Sequence, residues 1–246
     1  MSLYRDKAVV LRTYKLGEAD RIVVFMTEHH GKVRAVAKGV RKTKSKFGSR
    51  LQPLSHVDLL LYEGRDLDIV NQVDLVTTQV ALHADLDQMT RGMAMLEAVE
   101  QLALDREPTP HLFKMLVGGL RTLGETNSEL VVGAFYWKLL AAEGMRPELD
   151  ACVSCQTPIG VLTDDIYFFN IDSGGLQCRQ CRLGHRISVE AVLLMRQILG
   201  GELIDALNQP TGAATHEVMQ LATMAMEHHI ERRLKAIATL YDNVGL

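Results

Sequence analysis

Hydrophobic and polar positions alternate through the first third of the chain. Lys7 to Thr13, with Val9, Val10 and Leu11 at its centre, reads as a strand. Arg21 to Thr27 forms a second apolar run after a turn at Gly17. His29-His30-Gly31 reads as a short hairpin connection into Lys32–Ala37, where Val33, Ala35 and Ala37 share one face and Lys32 and Arg34 the other. Further strands fall at His56–Tyr62 and Leu67–Leu75, joined through Glu63-Gly64-Arg65-Asp66. Five strands within about 70 residues, joined by short turns, predict a small closed β-barrel.

Near residue 78 the period becomes helical. Met89, Met93, Leu96, Val99 and Ala103 recur at spacings of three and four, with Pro108 as the stop. Thr109-Pro110 supplies a cap and a first helical position for the stripe Leu112, Leu116, Leu120, Leu123. A third helix is predicted from Ser128 to Glu143, with Gly144 as its cap and Pro147 beyond. Ser188 reads as the N-cap of another, stopped at Gly200-Gly201. Thr215 opens the last, whose stripe of Met219, Met226, Ile230, Leu234, Ile237 and Tyr241 keeps a period near 3.6. The expected fold class is α+β: a barrel over residues 1–78, a helical domain over 79–149 and 184–246, and an inserted module over 150–183.

That module carries all four cysteines, Cys152, Cys155, Cys178 and Cys181, as two C-x2-C pairs separated by 22 residues. Each pair fits a tight knuckle that aims two thiolates at one ion, and two knuckles complete the tetrahedral four-sulfur shell that zinc favours. Four cysteines close that shell and leave no position for water, so the predicted Zn2+ is structural rather than catalytic. Four thiolates also suit an iron–sulfur cluster. His185, close to Cys181, is read as a surface histidine.

Composition bounds the function. Of 246 residues 47% are hydrophobic and 23% charged, enough apolar material for a core. No run reaches the length of a membrane span. The opening Met1-Ser2-Leu3-Tyr4-Arg5-Asp6 holds no apolar signal segment, so a cytoplasmic location is expected. The net charge of −3 hides an asymmetry: residues 1–80 hold 14 Lys+Arg against 9 Asp+Glu, and the remainder holds 13 against 21. Basic residues concentrate at Lys32, Arg34, Lys38, Arg41, Lys42, Lys44, Lys46 and Arg50, with no acid between them. A barrel with one basic face is a common nucleic-acid platform, dominated by phosphate contacts. Within the charged loop Phe47 is read as exposed and best placed to stack on a base, with Tyr14 and Tyr62 as further candidates.

No phosphate-binding loop, dinucleotide fingerprint or nucleophile elbow occurs, and nothing names a catalytic group, so the chain is read as a non-enzyme. Glu63, Asp66 and Asp68 are read as solvated acids on a turn. His29-His30 and His228-His229 are read as lacking partners at metal-ligand spacing.

Several segments together resemble the bacterial RecO family of DNA repair and recombination mediators. They are Ala8-Val9-Val10-Leu11-Arg12-Thr13-Tyr14, Gly17-Glu18-Ala19-Asp20-Arg21-Ile22-Val23, and Gly31 through Arg41. Leu51-Gln52-Pro53-Leu54, Glu143-Gly144-Met145-Arg146-Pro147 and Gly174-Gly175-Leu176 ahead of Cys178 continue the likeness over nearly the whole length. Gln156 departs from the glycine that often follows the second cysteine. The resemblance implies an N-terminal OB barrel, a helical domain and a zinc module. It implies binding of single- and double-stranded DNA, strand annealing, and work with RecR, the tail of single-strand-binding protein and, indirectly, RecA, with association with the nucleoid during repair. It places Lys32, Arg34, Lys38 and Arg41 on the family's basic strand and loop, which Lys42, Lys44, Lys46 and Arg50 extend by charge. Arg196, Arg232, Arg233 and Lys235 are candidates for the rim that receives the acidic tail.

The alternative reading is an RNA-binding or ribosome-associated module with a barrel and a zinc ribbon. An enzyme such as a zinc-dependent nuclease, and a scaffold with a solvated basic loop, are further alternatives.

Overall fold

The computed structural model of the chain describes residues 2–42, 45, 47–77, 80–159 and 166–237. Five strands, β1 (Leu3–Leu16), β2 (Asp20–Thr27), β3 (Lys32–Ala37), β4 (His56–Tyr62) and β5 (Asp68–Thr77), close into a barrel in the order β1-β2-β3-β5-β4. The last strand in that order returns to the first, from Leu3 opposite Tyr62 to Val9 opposite His56. All neighbours are antiparallel except β3 and β5, which pair in parallel at Ala35–Asp68 and Val36–Ile69. This is the small closed barrel expected from the alternation, and it is OB-like, as the resemblance implies.

Alternate residues face inward. Ala8 and Val10, Val23 and Phe25, Val33, Ala35 and Ala37 fill the interior with Val57, Leu59 and Leu61. A register shift between Val10 and Arg12 re-phases the long first strand. A bulge of this kind moves every later side chain to the opposite face. Arg12 thereby stands opposite Val24, which stands opposite Arg34.

Phe47 corrects an expectation. It is 1% exposed and belongs to the barrel core with Leu51 from the short 3-10 turn Gly48–Leu51. A phenyl ring amid charges is read as exposed only if its loop stands away from the body. Here the loop's far end is drawn in to cap the barrel.

One acid reading and one histidine reading also change. Glu63 and Asp66 are exposed, but Asp68 is buried. Its carboxylate accepts hydrogen bonds from the Tyr4 hydroxyl at 2.5 Å, an Arg106 guanidinium nitrogen at 2.7 Å and the Gly64 N–H at 2.9 Å. Burial, reinforced by the bond to Asp68, raises the Tyr4 phenol above its ordinary value. His29 and His30, read as unpartnered, both meet the buried carboxylate of Asp6.

The chain divides into two compact units, residues 1–125 with 236–246, and residues 126–235. The first holds the barrel with α1 (Val80–Ala84), α2 (Leu86–Leu102) and α3 (Pro110–Glu125). Asp85 caps α2, accepting from the N–H groups of Asp87 and Gln88. The helix ends at Leu102, six residues before Pro108, because the next residues pair with β3 instead: Lys32 N–H donates to Leu104 O and Arg106 N–H to Lys32 O.

The second unit holds α4 (Val131–Ala142), a three-stranded sheet of β6 (Ile166–Asn170), β7 (Gly175–Gln177) and β8 (His185–Ser188), then α5 (Val189–Gly200), α6 (Leu203–Leu207) and α7 (Ala213–His229). Trp137 of α4 is buried, donates from its indole to Val218 O and packs edge-on against Phe169. Ser188 caps α5 through the Ala191 N–H, and Gly201 closes it with φ of 105°. The last stripe is not one helix through Tyr241. It stops at His229, and Glu231 takes φ of 52°, although Leu234 and Ile237 remain buried. Apolar spacing survives a break that its period cannot reveal. Tyr241 lies outside the described residues. Among the described residues no helix is long and apolar enough to cross a membrane.

Candidate nucleic-acid interface and metal centre

The cysteine knuckles are built by local backbone bonds. Cys152 N–H donates to Thr157 O and Gln156 N–H to Cys152 O, with Gln156 at φ of 61° to turn the chain. Cys181 N–H donates to Cys178 O in the second knuckle. The Val153 N–H to Leu176 O bond joins the two halves of the module, and the Glu148 N–H to Gly174 O bond ties it to the chain before it. Gly175 permits the close approach, since a Cβ there would stand 2.6 Å from Glu148 O.

All four sulfurs lie within 4.8 Å of one another, and Cys155 Sγ is 3.7 Å from Cys178 Sγ. Tetrahedral zinc–sulfur bonds of about 2.3 Å place sulfurs about 3.8 Å apart, so the set fits a metal ion. All four are free thiols, with no disulfide. Cys152 is buried, and its thiol is held below its ordinary value. Burial opposes that shift, but the backbone N–H groups of Cys178, Cys155 and Ser154 outweigh it. The exposed Cys155 is lowered to about 6, first by the Thr157 hydroxyl and then by the Thr157 N–H. Its bond to Cys155, with lesser burial, raises Cys181 to about 12. Both shifts at Cys152 and Cys155 are toward the thiolate, the form that binds metal. His185 lies on β8, exposed, and takes no part in the tetrad.

The basic segment divides by environment. Arg34 and Lys38 are exposed on and just after β3, followed by exposed Arg41 and Lys42. The turn that carries them is stapled to the β1–β2 connection. Asp20 accepts from Gly39 N–H at 2.7 Å, Arg41 N–H donates to Ala19 O, and the Arg41 guanidinium reaches Gly17 O at 3.3 Å. At the far end Phe47 and Leu51 anchor the segment in the core. Arg50 is exposed and donates to Val73 O at 3.4 Å. Lys32 differs: its ammonium is taken by Asp105 at 3.3 Å and by Glu100 O at 3.0 Å. Lys44 and Lys46 lie outside the described residues.

Sequence reasoning missed Arg12, because only the bulge brings it onto the row of Arg34. Arg12 also pairs with Glu100 at 3.1 Å. Tyr14 and Tyr62 are 45% and 37% exposed, so both rings remain available for stacking.

The four partner-rim candidates do not share one environment. Arg196 is largely covered and clips the approach to the cysteine module, donating to Leu149 O at 2.6 Å and Ile159 O at 2.9 Å beside Asp150. Arg232, Arg233 and Lys235 are exposed after the end of α7.

Comparison with known proteins agrees with the resemblance. The sequence profile described as recombination protein O N terminal matches residues 1–79, and the one described as recombination protein O C terminal matches residues 83–237. A DNA repair protein RecO from Nocardioides sp. is 42% identical over 244 residues, covering 96% of this chain and 98% of its own length. One from Frankia casuarinae is 43% identical over 246 residues, covering 98% of this chain and 99% of its own. With both halves matched and relatives aligned end to end, the chain belongs to the recombination protein O family.

Proposed function

We propose that the protein is a DNA repair and recombination mediator that works by binding and bridging strands, not by making or breaking bonds. The observation that carries this reading is the exposed series Arg34, Lys38, Arg41 and Lys42, fixed on one edge of a closed barrel in a chain of this family. Two single strands repel through their phosphates. A face that neutralises both raises their encounter rate without reading sequence. Arg50, Lys44 and Lys46 extend the same charge, and Lys32 supports β3 from beneath. The barrel over residues 1–78 is the DNA-binding part, residues 79–149 and 184–246 the helical part, and 150–183 the zinc module.

The cysteine tetrad would hold a structural Zn2+ through Cys152, Cys155, Cys178 and Cys181. The ion supplies cross-linking to a segment too small for its own core, and no reaction step. Single- and double-stranded DNA, RecR and the acidic tail of single-strand-binding protein are the proposed partners, with RecA loading as the outcome. Arg232, Arg233 and Lys235 are better placed than Arg196 to meet an acidic tail, being exposed. The setting is the cytoplasm, at the nucleoid during repair.

The test is annealing of two complementary oligonucleotides precoated with the cognate single-strand-binding protein. Acceleration is expected, since it needs both bridging and tolerance of the coat. Annealing of bare strands only would remove the coat-protein contact and keep the DNA role. Failure on both, with tighter binding to RNA of equal length, would replace this reading with an RNA-binding one.

A further inference from the structure

One end of the barrel carries a cluster that DNA binding does not use. Asp6 continues the inward series of Ala8 and Val10 on β1, and its side chain is fully buried. The β2–β3 connection folds over it. His29 N–H donates to Asp6 Oδ2 at 3.0 Å, His29 Nδ1 lies 3.0 Å from Asp6 Oδ1, and His30 Nδ1 lies 2.6 Å from Asp6 Oδ2. Glu28 adds a second carboxylate: ligand atoms of Asp6, Glu28 and His29 all fall within 4.8 Å of one another.

The loop that presents them is fixed. Glu28 N–H donates to Lys7 O. The Thr27 hydroxyl donates to Gly31 O at 2.8 Å and accepts from His30 N–H at 3.0 Å. Gly31 closes the turn at φ of 67°, hard against the Glu107 backbone. The backbone that carries the donors is therefore set in place by packing and hydrogen bonds, and Asp6 is held in addition by its side-chain partners.

We propose that Asp6, Glu28 and His29 form a second metal site, for a divalent transition-metal ion that accepts mixed nitrogen and oxygen donors, with Zn2+ as the probe. Donors bonded at about 2.0–2.1 Å and separated by about 90–110° stand about 2.9–3.4 Å apart. The 3.0 Å between Asp6 Oδ1 and His29 Nδ1 fits two adjacent ligands. The ion takes the Nδ1 lone pair of the neutral imidazole, so the single ring proton sits on Nε2; a proton that Nδ1 held toward Asp6 moves to Nε2 through solvent. His30 is a positioning residue: its Nδ1 holds the other Asp6 oxygen and so orients the carboxylate. Two carboxylates and one imidazole form a harder donor set than four thiolates, so this site and the cysteine tetrad differ in ion preference. Three protein donors leave coordination positions for water on the side where His29 is 67% exposed. The ion ties β1 to the β2–β3 connection across the end of the barrel.

The test uses the full chain, loaded with one equivalent of Zn2+ to fill the cysteines, desalted, and titrated calorimetrically with further Zn2+. The wild type is expected to take up a second equivalent. His29→Ala and Glu28→Gln are expected to bind that equivalent at least tenfold more weakly while keeping the first. Thermal melting without added ion verifies that each variant is folded. Both change side chains outside the core, so at least one folded variant is available. A wild type that stops at one equivalent, or a second event of unchanged affinity in the folded variants, overturns the site. DNA annealing, which uses other residues, is a separate readout and does not decide it.

Discussion

The Lys32 ammonium lies 3.3 Å from an Asp105 carboxylate oxygen and 3.0 Å from the Glu100 carbonyl oxygen, with its side chain 19% exposed. A lysine so placed holds β3 against the segment that follows α2. Its neighbours Arg34 and Lys38 are exposed on or just beyond the same strand. Charge alone gives the three equal standing; partners separate them. Lys32→Ala is expected to cost about 1 kcal/mol in denaturant unfolding, the range of one partly exposed ion pair with a hydrogen bond. It should leave the salt dependence of DNA binding unchanged.

The triple variant Arg34→Ala, Lys38→Ala, Lys42→Ala is the converse case. Each phosphate contact contributes about −0.7 to the slope of log K against log salt on single strands. Removing three should make the slope shallower by about 2, with stability changed by no more than about 0.5 kcal/mol per site. Filter or fluorescence binding across a salt series reads this directly. A slope that does not move would take phosphate binding away from this edge of the barrel.

Phe47 is expected to behave as core. Phe47→Ala should cost about 3–5 kcal/mol in urea unfolding, and Phe47→Leu less than about 1.5 kcal/mol. Were the ring a stacking platform, the alanine variant would keep its stability and lose affinity for single strands instead. The two measurements on one variant discriminate the roles.

The contrast explains what the sequence could and could not convey. Alternation placed β3 at Lys32–Ala37 and β4 at His56–Tyr62, the limits seen in the structure, because both strands have one face in a core. The cysteine spacing conveyed the tetrad, since two knuckles are local structures. Illegible features depend on residues far apart in the chain. Asp68 meets Tyr4 across 64 positions and Arg106 across 38. Asp6 meets His29 across 23. An acid on a predicted turn reads as solvated until the barrel closes around it. The bulge after Val10, which selects the face of Arg12, has no composition signal at all.

Gly31 offers a test of the closed geometry. It sits at φ of 67°, and a Cβ there would stand 2.0 Å from the Glu107 carbonyl oxygen. The neighbour is backbone, held by the bonds that pair Lys32 with Leu104 and Arg106, so it cannot rotate away. Gly31→Ala should therefore cost at least about 3 kcal/mol, combining left-handed strain with a forced shift. Gly17→Ala shares the positive φ of 58° but meets nothing within 4 Å, and should cost about 1–2 kcal/mol. Equal losses in the two variants would mean that the segment after α2 does not press on the β2–β3 turn.

Metal removal separates a structural ion from one on which DNA binding depends. Structural zinc in small modules has apparent binding free energies of about 10–16 kcal/mol. Loss of an ion from the tetrad should therefore unfold the segment it holds. Treatment with a strong chelator is expected to release zinc and strip amide protection from the residues around Cys152, Cys155, Cys178 and Cys181. The core strands, whose interior packing does not involve the cysteines, should keep theirs. Cys152→Ser should be more disruptive than Cys155→Ser, because Cys152 is buried and accepts the Cys178 N–H while Cys155 is exposed. Hydrogen exchange with and without chelator reads both. DNA affinity within about threefold of the loaded protein is the outcome expected if phosphate is held by the barrel edge, since each lost contact would cost more than that at low salt. A collapse of affinity alongside an intact barrel would instead place phosphate contacts on the cysteine segment, where Arg179 lies within the second knuckle and Arg182 follows it.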